Sequence, residues 1–285
     1  MEEGVYLLKI AFWSNDNEKC QVSANLAAIC VATVIRYPYS VMAIENSLCS
    51  NNLGKAFLGR SNLNLFCDSG TNYYDGGGLE GLIRKIYRGD FTRSMMQKFS
   101  KEIIAKHLYY LPQSRVIHNE IFDYEFDHCM EQLLEVLNDF SDATFFNTAS
   151  NLHLSTKTIL DNSDLIVVNL CQKQSILEDF FLNYSSLLPK SILLLSNYDN
   201  HTKLHARYLI SKYGINPENI VVLPRNEAYE TAYSNGDVVE FISRNYNGSK
   251  ENPNYIFMNS VKKSTSIIVR RAVELARQKE LMCLQ

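Results

Sequence analysis

The sequence predicts an α/β fold: a doubly wound, mostly parallel sheet with helices on both faces, in three layers. Three observations predict it. Unbroken apolar runs of strand length recur along the chain, among them "DLIVVNLC" and "SILLLSNY". Segments with apolar residues at helical spacing separate those runs. Strands buried on both faces read as continuous apolar runs, and parallel strands need helical crossovers between them. No internal repeat, low-complexity tract or linker interrupts the pattern, so a single domain over residues 1–285 is expected.

Val5 to Trp13 is the first buried strand, and "QVSANLAAICVATVIR" is a helix apolar on nearly every face. Ser40 to Asn46 is the second strand, followed by a polar loop. "GLEGLIRKIYRG" and "FTRSMMQKF" give two amphipathic helices, and "KHLYYLP" gives a strand that stops at Pro112. Phe126, Met130, Leu133, Leu134 and Leu137 mark one helix over "EFDHCMEQLLEVLNDF". "DATFFNTAS", "DLIVVNLC", "SILLLSNY" and "NIVVLP" are four more strands with helices between them, and "NYIFMNSVKKSTSIIVRRAVELARQ" is a closing helix.

Composition narrows the function classes. With 46% apolar residues, 21% charged residues and a net charge of −3, the chain is an ordinary globular one without the basic field of a general nucleic-acid binder. Its seven cysteines are scattered, odd in number and never C-x-x-C, so they read as small buried hydrophobes in a reducing cytoplasm. No signal peptide and no run of membrane-spanning length is expected. Asn183, Asn200 and Asn247 then carry no glycan. In a parallel sheet, ligands bind beyond the carboxyl ends of the strands. That directs attention to Ser14–Lys19, Glu45–Ser47, Asn147–Ser150, Asn169–Cys171, Asn197–Asp199 and Pro224–Asn226.

The residues at those ends carry a resemblance. "KCQVSANLA" (Lys19 to Ala27) has the spacing of K-T-T-x-x-A-N-L-A, and "VMAIENSLCSNNLGKAFLG" is similar to V-L-L-I-D-A-D followed by an N-L pair and a glycine. "LYYLPQS", "DATFFNTAS" and "SNYD" fall in the same order as three further motifs. Together they resemble the MinD/ParA group of P-loop ATPases with a deviant Walker A motif, almost end to end, and most closely its TadZ/CpaE-like pilus-assembly branch. The receiver-like domain that often precedes TadZ/CpaE proteins is not expected here.

The resemblance implies an ATP site whose parts have changed. A phosphate loop uses glycines so that backbone N–H groups can turn inward around the phosphates. Here Asn15, Asp16 and Glu18 stand in place of glycines, and Ser14 replaces the early signature lysine. Lys19 keeps the main lysine position, with Cys20 in place of the magnesium-binding hydroxyl and Gln21 after it. Glu45-Asn46-Ser47 stands for D-A-D, and Asn147 for the Walker B aspartate. Asn197, Pro224 and Asn226 match the segments that contact adenine. A carboxylate ~5 Å from one phosphate charge costs about 3 kcal/mol at an effective dielectric of ~20, and Cys20 is a poor ligand for a hard cation. Repulsion by Asp16 and Glu18, with no ordered metal, is therefore the expected reason for weak or absent ATP binding. Lys19, Glu45 and Asn147 become relics of a catalytic site.

The expected function is a pseudo-ATPase that acts as a localisation or assembly hub through protein contacts in a pilus, secretion or positioning system. The alternative is an active ATP-dependent switch in partitioning, positioning or exopolysaccharide or pilus assembly. The family's homodimer would then form without nucleotide or not at all, and no specific nucleic-acid partner is expected. MinD relatives touch membranes through a C-terminal amphipathic helix, which would recruit the protein to the inner face. The period of "SIIVRRAVELA" equally fits a packed final helix with its charges in solvent, and that reading is adopted. Gly76–Gly78 read as a loop before a helix capped near Asp75, with Tyr73 and Tyr74 as a candidate contact tip. His201 and His205 read as neighbours on one face of a helix after "NYDN", without a third ligand.

Overall fold

A computed structural model describes residues 7–47, 52–67, 77–92, 95–113 and 119–283. The first half contains β1 (Leu8–Trp13), α1 (Asn17–Cys20), α2 (Val22–Arg36), β2 (Val41–Asn46), α3 (Asn52–Cys67), α4 (Gly78–Tyr87), α5 (Met96–Phe99), β3 (Lys101–Ile104) and β4 (Leu108–Leu111). There follow α6 (Asn119–His128), α7 (Met130–Asn138), β5 (Ala143–Thr148), α8 (Leu154–Asn162), β6 (Leu165–Cys171), α9 (Gln174–Asn183) and β7 (Ser191–Tyr198). The chain closes with α10 (Ala206–Tyr213), β8 (Ile220–Pro224), α11 (Glu227–Asn235), α12 (Val238–Asn245) and α13 (Tyr255–Cys283).

The strands form one eight-stranded sheet in the order β3-β4-β2-β5-β1-β6-β7-β8, parallel throughout except for β3 against β4. Alternation along β1 shows why the sheet needs cover on both sides. Ile10 and Phe12 enter a core beneath α2, α3, α11, α12 and α13, whereas Ala11 and Trp13 enter one beneath α4, α6, α7, α9 and α10. From β1 the chain crosses to β2 towards one edge, and from β6 it proceeds to β7 and β8 towards the other. The carboxyl ends of β1 and β6 thus flank the place where the winding reverses.

Several sequence expectations are corrected. The polar loop after β2 contains α3, a helix hidden in the sequence by a kink at Gly59 (φ 70°). Residues 125–140 form parts of two helices, α6 and α7, which meet at Cys129. The second of the two amphipathic helices is the single turn α5, and the antiparallel strand β3 comes after it. The 17–36 stretch is apolar and long enough to cross a membrane, contrary to expectation, but it is mostly buried against the sheet. His205 precedes α10 and accepts from Tyr208 N at 3.1 Å, while His201 lies in the preceding turn, so the two do not share a helix face. In α13, Phe257, Val261, Ile268, Ala272 and Ala276 are buried, and Lys262 lies over the Tyr246 ring at 4.4 Å. This helix spends its apolar face on the protein core. Asp75, Tyr73, Tyr74 and Gly76 lie outside the described residues.

Two glycines fix how α3 meets the end of α11. Gly236 (φ 89°) closes α11, and a Cβ there would sit 2.2 Å from the backbone nitrogen of Gly59. A side chain at this position meets both backbone strain and a rigid neighbour. Gly236→Ala is expected to lower unfolding stability by about 3 kcal/mol, measured by chemical denaturation. A change within 0.5 kcal/mol would show that the two backbones can separate freely.

Candidate functional site

Between β1 and α2, where the resemblance places a phosphate loop, the chain folds back on itself. Asp16 N donates to Ser14 Oγ at 3.0 Å, and Asp16 then caps the single turn α1 by accepting from Lys19 N through Oδ1 at 3.1 Å. Cys20 N donates to Asp16 O at 3.1 Å, and Gln21 N donates to Asn17 O. Gln21 adopts a left-handed conformation (φ 50°) and joins α1 to α2. The N–H groups of Lys19, Cys20 and Gln21 are therefore satisfied inside the loop instead of converging on an anion.

Side chains hold this closure on both flanks. Asn15 Nδ2 donates to Ile176 O at 3.0 Å and to Asp179 Oδ2 at 2.7 Å, tying the loop to α9. Asn17 Nδ2 donates to Thr148 O at 2.6 Å, tying it to the end of β5. Beneath it, the Cys20 carbonyl accepts from Ser196 Oγ at 2.6 Å and from Asn25 Nδ2 at 3.2 Å. Asn25 Nδ2 also reaches Asn169 Oδ1 at 2.9 Å and Ser196 Oγ at 2.7 Å. All four of these residues are buried.

The electrostatic expectation for this loop is revised. Lys19 and Asp16 form an ion pair with each other at the surface. Partial burial pushes the Asp16 carboxyl up, but its hydrogen bonds to Lys19 more than offset this and hold it below the ordinary value. Lys19 is raised by the same hydrogen bond. Asp16 is thus neutralised locally and serves as a helix cap, and only Glu18 remains an exposed carboxylate. Cys20 is buried and its thiol meets that of Cys171. The hydrogen bond between them, together with burial, drives Cys20 upward, and the same bond with nearby Lys173 draws Cys171 downward.

Glu45 and Asn147 are neighbours at the ends of β2 and β5. Glu45 Oε1 accepts from Asn147 Nδ2 at 2.5 Å. Its Oε2 accepts from Leu53 N at 3.0 Å, Gly54 N at 3.4 Å and Tyr110 Oη at 3.1 Å. Burial raises the Glu45 carboxyl to about 7 against the opposing pull of these hydrogen bonds. Asn147 Nδ2 donates in addition to Ser23 Oγ at 2.9 Å, while Asn147 Oδ1 is buried without a partner. Among the described residues, no three His, Cys, Asp or Glu side chains converge as metal ligands.

The adenine-side positions are spread out. Asn197 is half-buried with φ 48°, and Pro224 lies opposite Tyr198. Asn226 caps α11 through Tyr229 N at 2.7 Å and donates to Asn254 Oδ1 at 3.0 Å. A cavity of about 390 Å³ lies instead between the α1–α2 segment, the start of α3 and α11. Of the residues singled out in the sequence for nucleotide contacts, Gln21 alone lines it. Ser23 and Tyr229, which also line it, lay within the "KCQVSANLA" and "LPRNEAY" stretches of the resemblance without being assigned a contact, and Tyr233 carried no sequence signal beyond its helical position. Asn25 was visible in the sequence only as part of the A-N-L-A match, and its clamp depends on residues 144 and 171 positions away.

No family model and no curated protein matches the chain. Solved structures do share its fold. A ParA family ATPase from Chlorobium tepidum superposes with a TM-score of 0.65 at 13% identity, covering 92% of this chain and 98% of that one. The cell division ATPase MinD of Pyrococcus furiosus gives 0.61 at 13% identity over 90% and 97% of the two chains. The MinC:MinD cell division complex of Aquifex aeolicus gives 0.61 at 13%, covering 90% and 94%. The fold is that of the ParA/MinD P-loop ATPases, and at these identities the likeness extends to the fold alone.

Proposed function

We propose that this chain is a MinD/ParA-like pseudo-ATPase of the TadZ/CpaE kind, a single-domain hub that works through protein contacts with weak or no nucleotide binding. One observation carries the reading: the N–H groups of Lys19, Cys20 and Gln21 are consumed inside a capped helical turn. Breaking the Lys19–Asp16 pair costs little, because it lies at the surface in solvent. Reopening the loop also requires giving up those three hydrogen bonds and the anchors of Asn15 and Asn17. Asn147, an amide already engaged with Glu45 and Ser23, supplies no charge to orient a metal shell. The residues present therefore do not suit magnesium and a triphosphate.

A protein partner fits this reading, since a MinD of the same fold is known in complex with MinC. We place the partner in a pilus, secretion or positioning system on the cytoplasmic side, with any homodimer forming independently of nucleotide. The test is thermal unfolding with and without ATP and Mg²⁺. Binding at a hundredfold excess over Kd would add about 3 kcal/mol. We expect no shift, and no hydrolysis that depends on Lys19. Stabilisation by ATP that disappears in Lys19→Ala would reinstate the active-switch alternative.

A further inference from the structure

We propose that Cys20 and Cys171 form a reversible disulfide, made by a hydroperoxide, that staples the 14–21 loop to the carboxyl end of β6. This site goes beyond the hub reading and does not depend on it. Cys20 ends α1 and Cys171 ends β6. Ser196 on β7 stands opposite Cys171 in the sheet register, and its Oγ donates to the Cys20 carbonyl at 2.6 Å. That bond sets α1 down over the ends of β6 and β7. Both cysteine side chains enter the same core, and their thiols hydrogen-bond to each other. Sulfur atoms in contact need only close to about 2.05 Å to be joined. Of the other buried cysteines among the described residues, Cys30 packs in the opposite core, and Cys129 donates to Ile83 O at 4.0 Å.

The surroundings give the two sulfurs different roles. Cys171 keeps a small exposed fraction, 6%, and Cys20 keeps none. The hydrogen bond from Cys20 and the positive charge of Lys173 draw the Cys171 thiol down to about 7, against burial and the charge of Asp16. Lys19 is a second cation beside both sulfurs. A thiolate flanked by cations is the one that a peroxide oxidises. Cys171 Sγ attacks the outer oxygen of the hydroperoxide and gives up two electrons. An S–O bond forms as the O–O bond breaks, and the departing alkoxide or hydroxide takes up the proton that the thiol released. Cys20 Sγ then attacks Cys171 Sγ, forming the S–S bond and expelling hydroxide, which leaves as water with the Cys20 proton. A thiol reductant reverses the product by exchange. Disulfides of this transient kind are the ones a reducing cytoplasm allows.

The test treats the full chain with hydrogen peroxide, alkylates the remaining thiols, digests without reductant and reads the peptides by mass spectrometry. We expect the Cys20 and Cys171 peptides joined with the loss of two hydrogens, and separated by dithiothreitol. A urea-unfolded sample treated alike should lose the preference for this pair. In Cys20→Ser the sulfenic acid on Cys171 has no resolving thiol and should be trapped by dimedone, whereas Cys171→Ser should leave Cys20 unlabelled. Melting temperatures confirm that both variants are folded, and the cross-link in the parent chain decides the matter without them. The proposal is overturned if the folded parent keeps both thiols, or if either one pairs preferentially with a different cysteine. It also fails if both are oxidised to sulfinic or sulfonic acids without joining, if the unfolded chain joins them as readily as the folded one, or if dimedone marks Cys20 in Cys171→Ser.

Discussion

Glu45→Gln is expected to remove a loss of stability that the parent chain suffers between about pH 4.5 and 7. Glu45 is fully buried, and its carboxyl is raised from the ordinary 4.5 to about 7, chiefly by desolvation and against four hydrogen bonds that favour the charged form. The folded state therefore binds a proton that the unfolded state releases at lower pH. The resulting stabilisation is full below about 4.5 and is lost as the pH rises through 7, amounting to about 3 kcal/mol. Glutamine keeps a carbonyl for Leu53 N, Gly54 N and Tyr110, and presents an amide to Asn147. Asn147 can turn its unpartnered Oδ1 to meet that amide. Urea unfolding of both proteins at several pH values from 5 to 8 should show a gap that widens in favour of the variant. Parallel curves across that range would remove Glu45 as a titrating group.

Asn25→Leu is the second large effect. Its Nδ2 serves Cys20 O, Asn169 Oδ1 and Ser196 Oγ, and all of these are buried. Leucine has a similar volume but strands Asn169 Oδ1 and leaves the Cys20 carbonyl with Ser196 Oγ alone of its two side-chain donors, so a loss of about 3 kcal/mol is expected. The cluster should also show coupling. Ser196 Oγ is then the side-chain donor left to the Cys20 carbonyl, so Ser196→Ala should cost clearly more in the Asn25→Leu background than alone, and a double-mutant cycle of chemical denaturation curves measures the difference. Strict additivity would mean that the clamp does not act as a unit. Because the clamp grips the Cys20 carbonyl, its loss should also speed protease cleavage in the 14–21 loop.

The central strands were legible in the sequence because β6 and β7 carry long apolar runs, Leu165–Val168 and Ile192–Leu195, and burial on both faces demands that pattern. Helix α3 was not legible, because Gly59 breaks its period and its apolar residues do not form one clear stripe. Strand β3 escaped notice because four residues that are half exposed and antiparallel carry neither signature. At the loop, the lost glycines were plain to read, but the cause assigned to them was incomplete. Asp16 was read as a charge facing phosphates, whereas it caps a helical turn and pairs with Lys19. Sequence spacing shows which residues replaced a motif. It does not show where their hydrogen bonds go, and Asn15, Asn17 and Asn25 each reach a partner more than a hundred residues away in the chain.

Strand β3 has a consequence for how copies of this chain meet. A bare parallel sheet ends in a row of unsatisfied donors and acceptors that invites another polypeptide to continue it. Here the margin beyond β4 is a short reversed strand with Lys101 and Glu102 in solvent and an irregular step before Ile104. Such a margin is too brief and too charged to make a good template for a further strand at that rim.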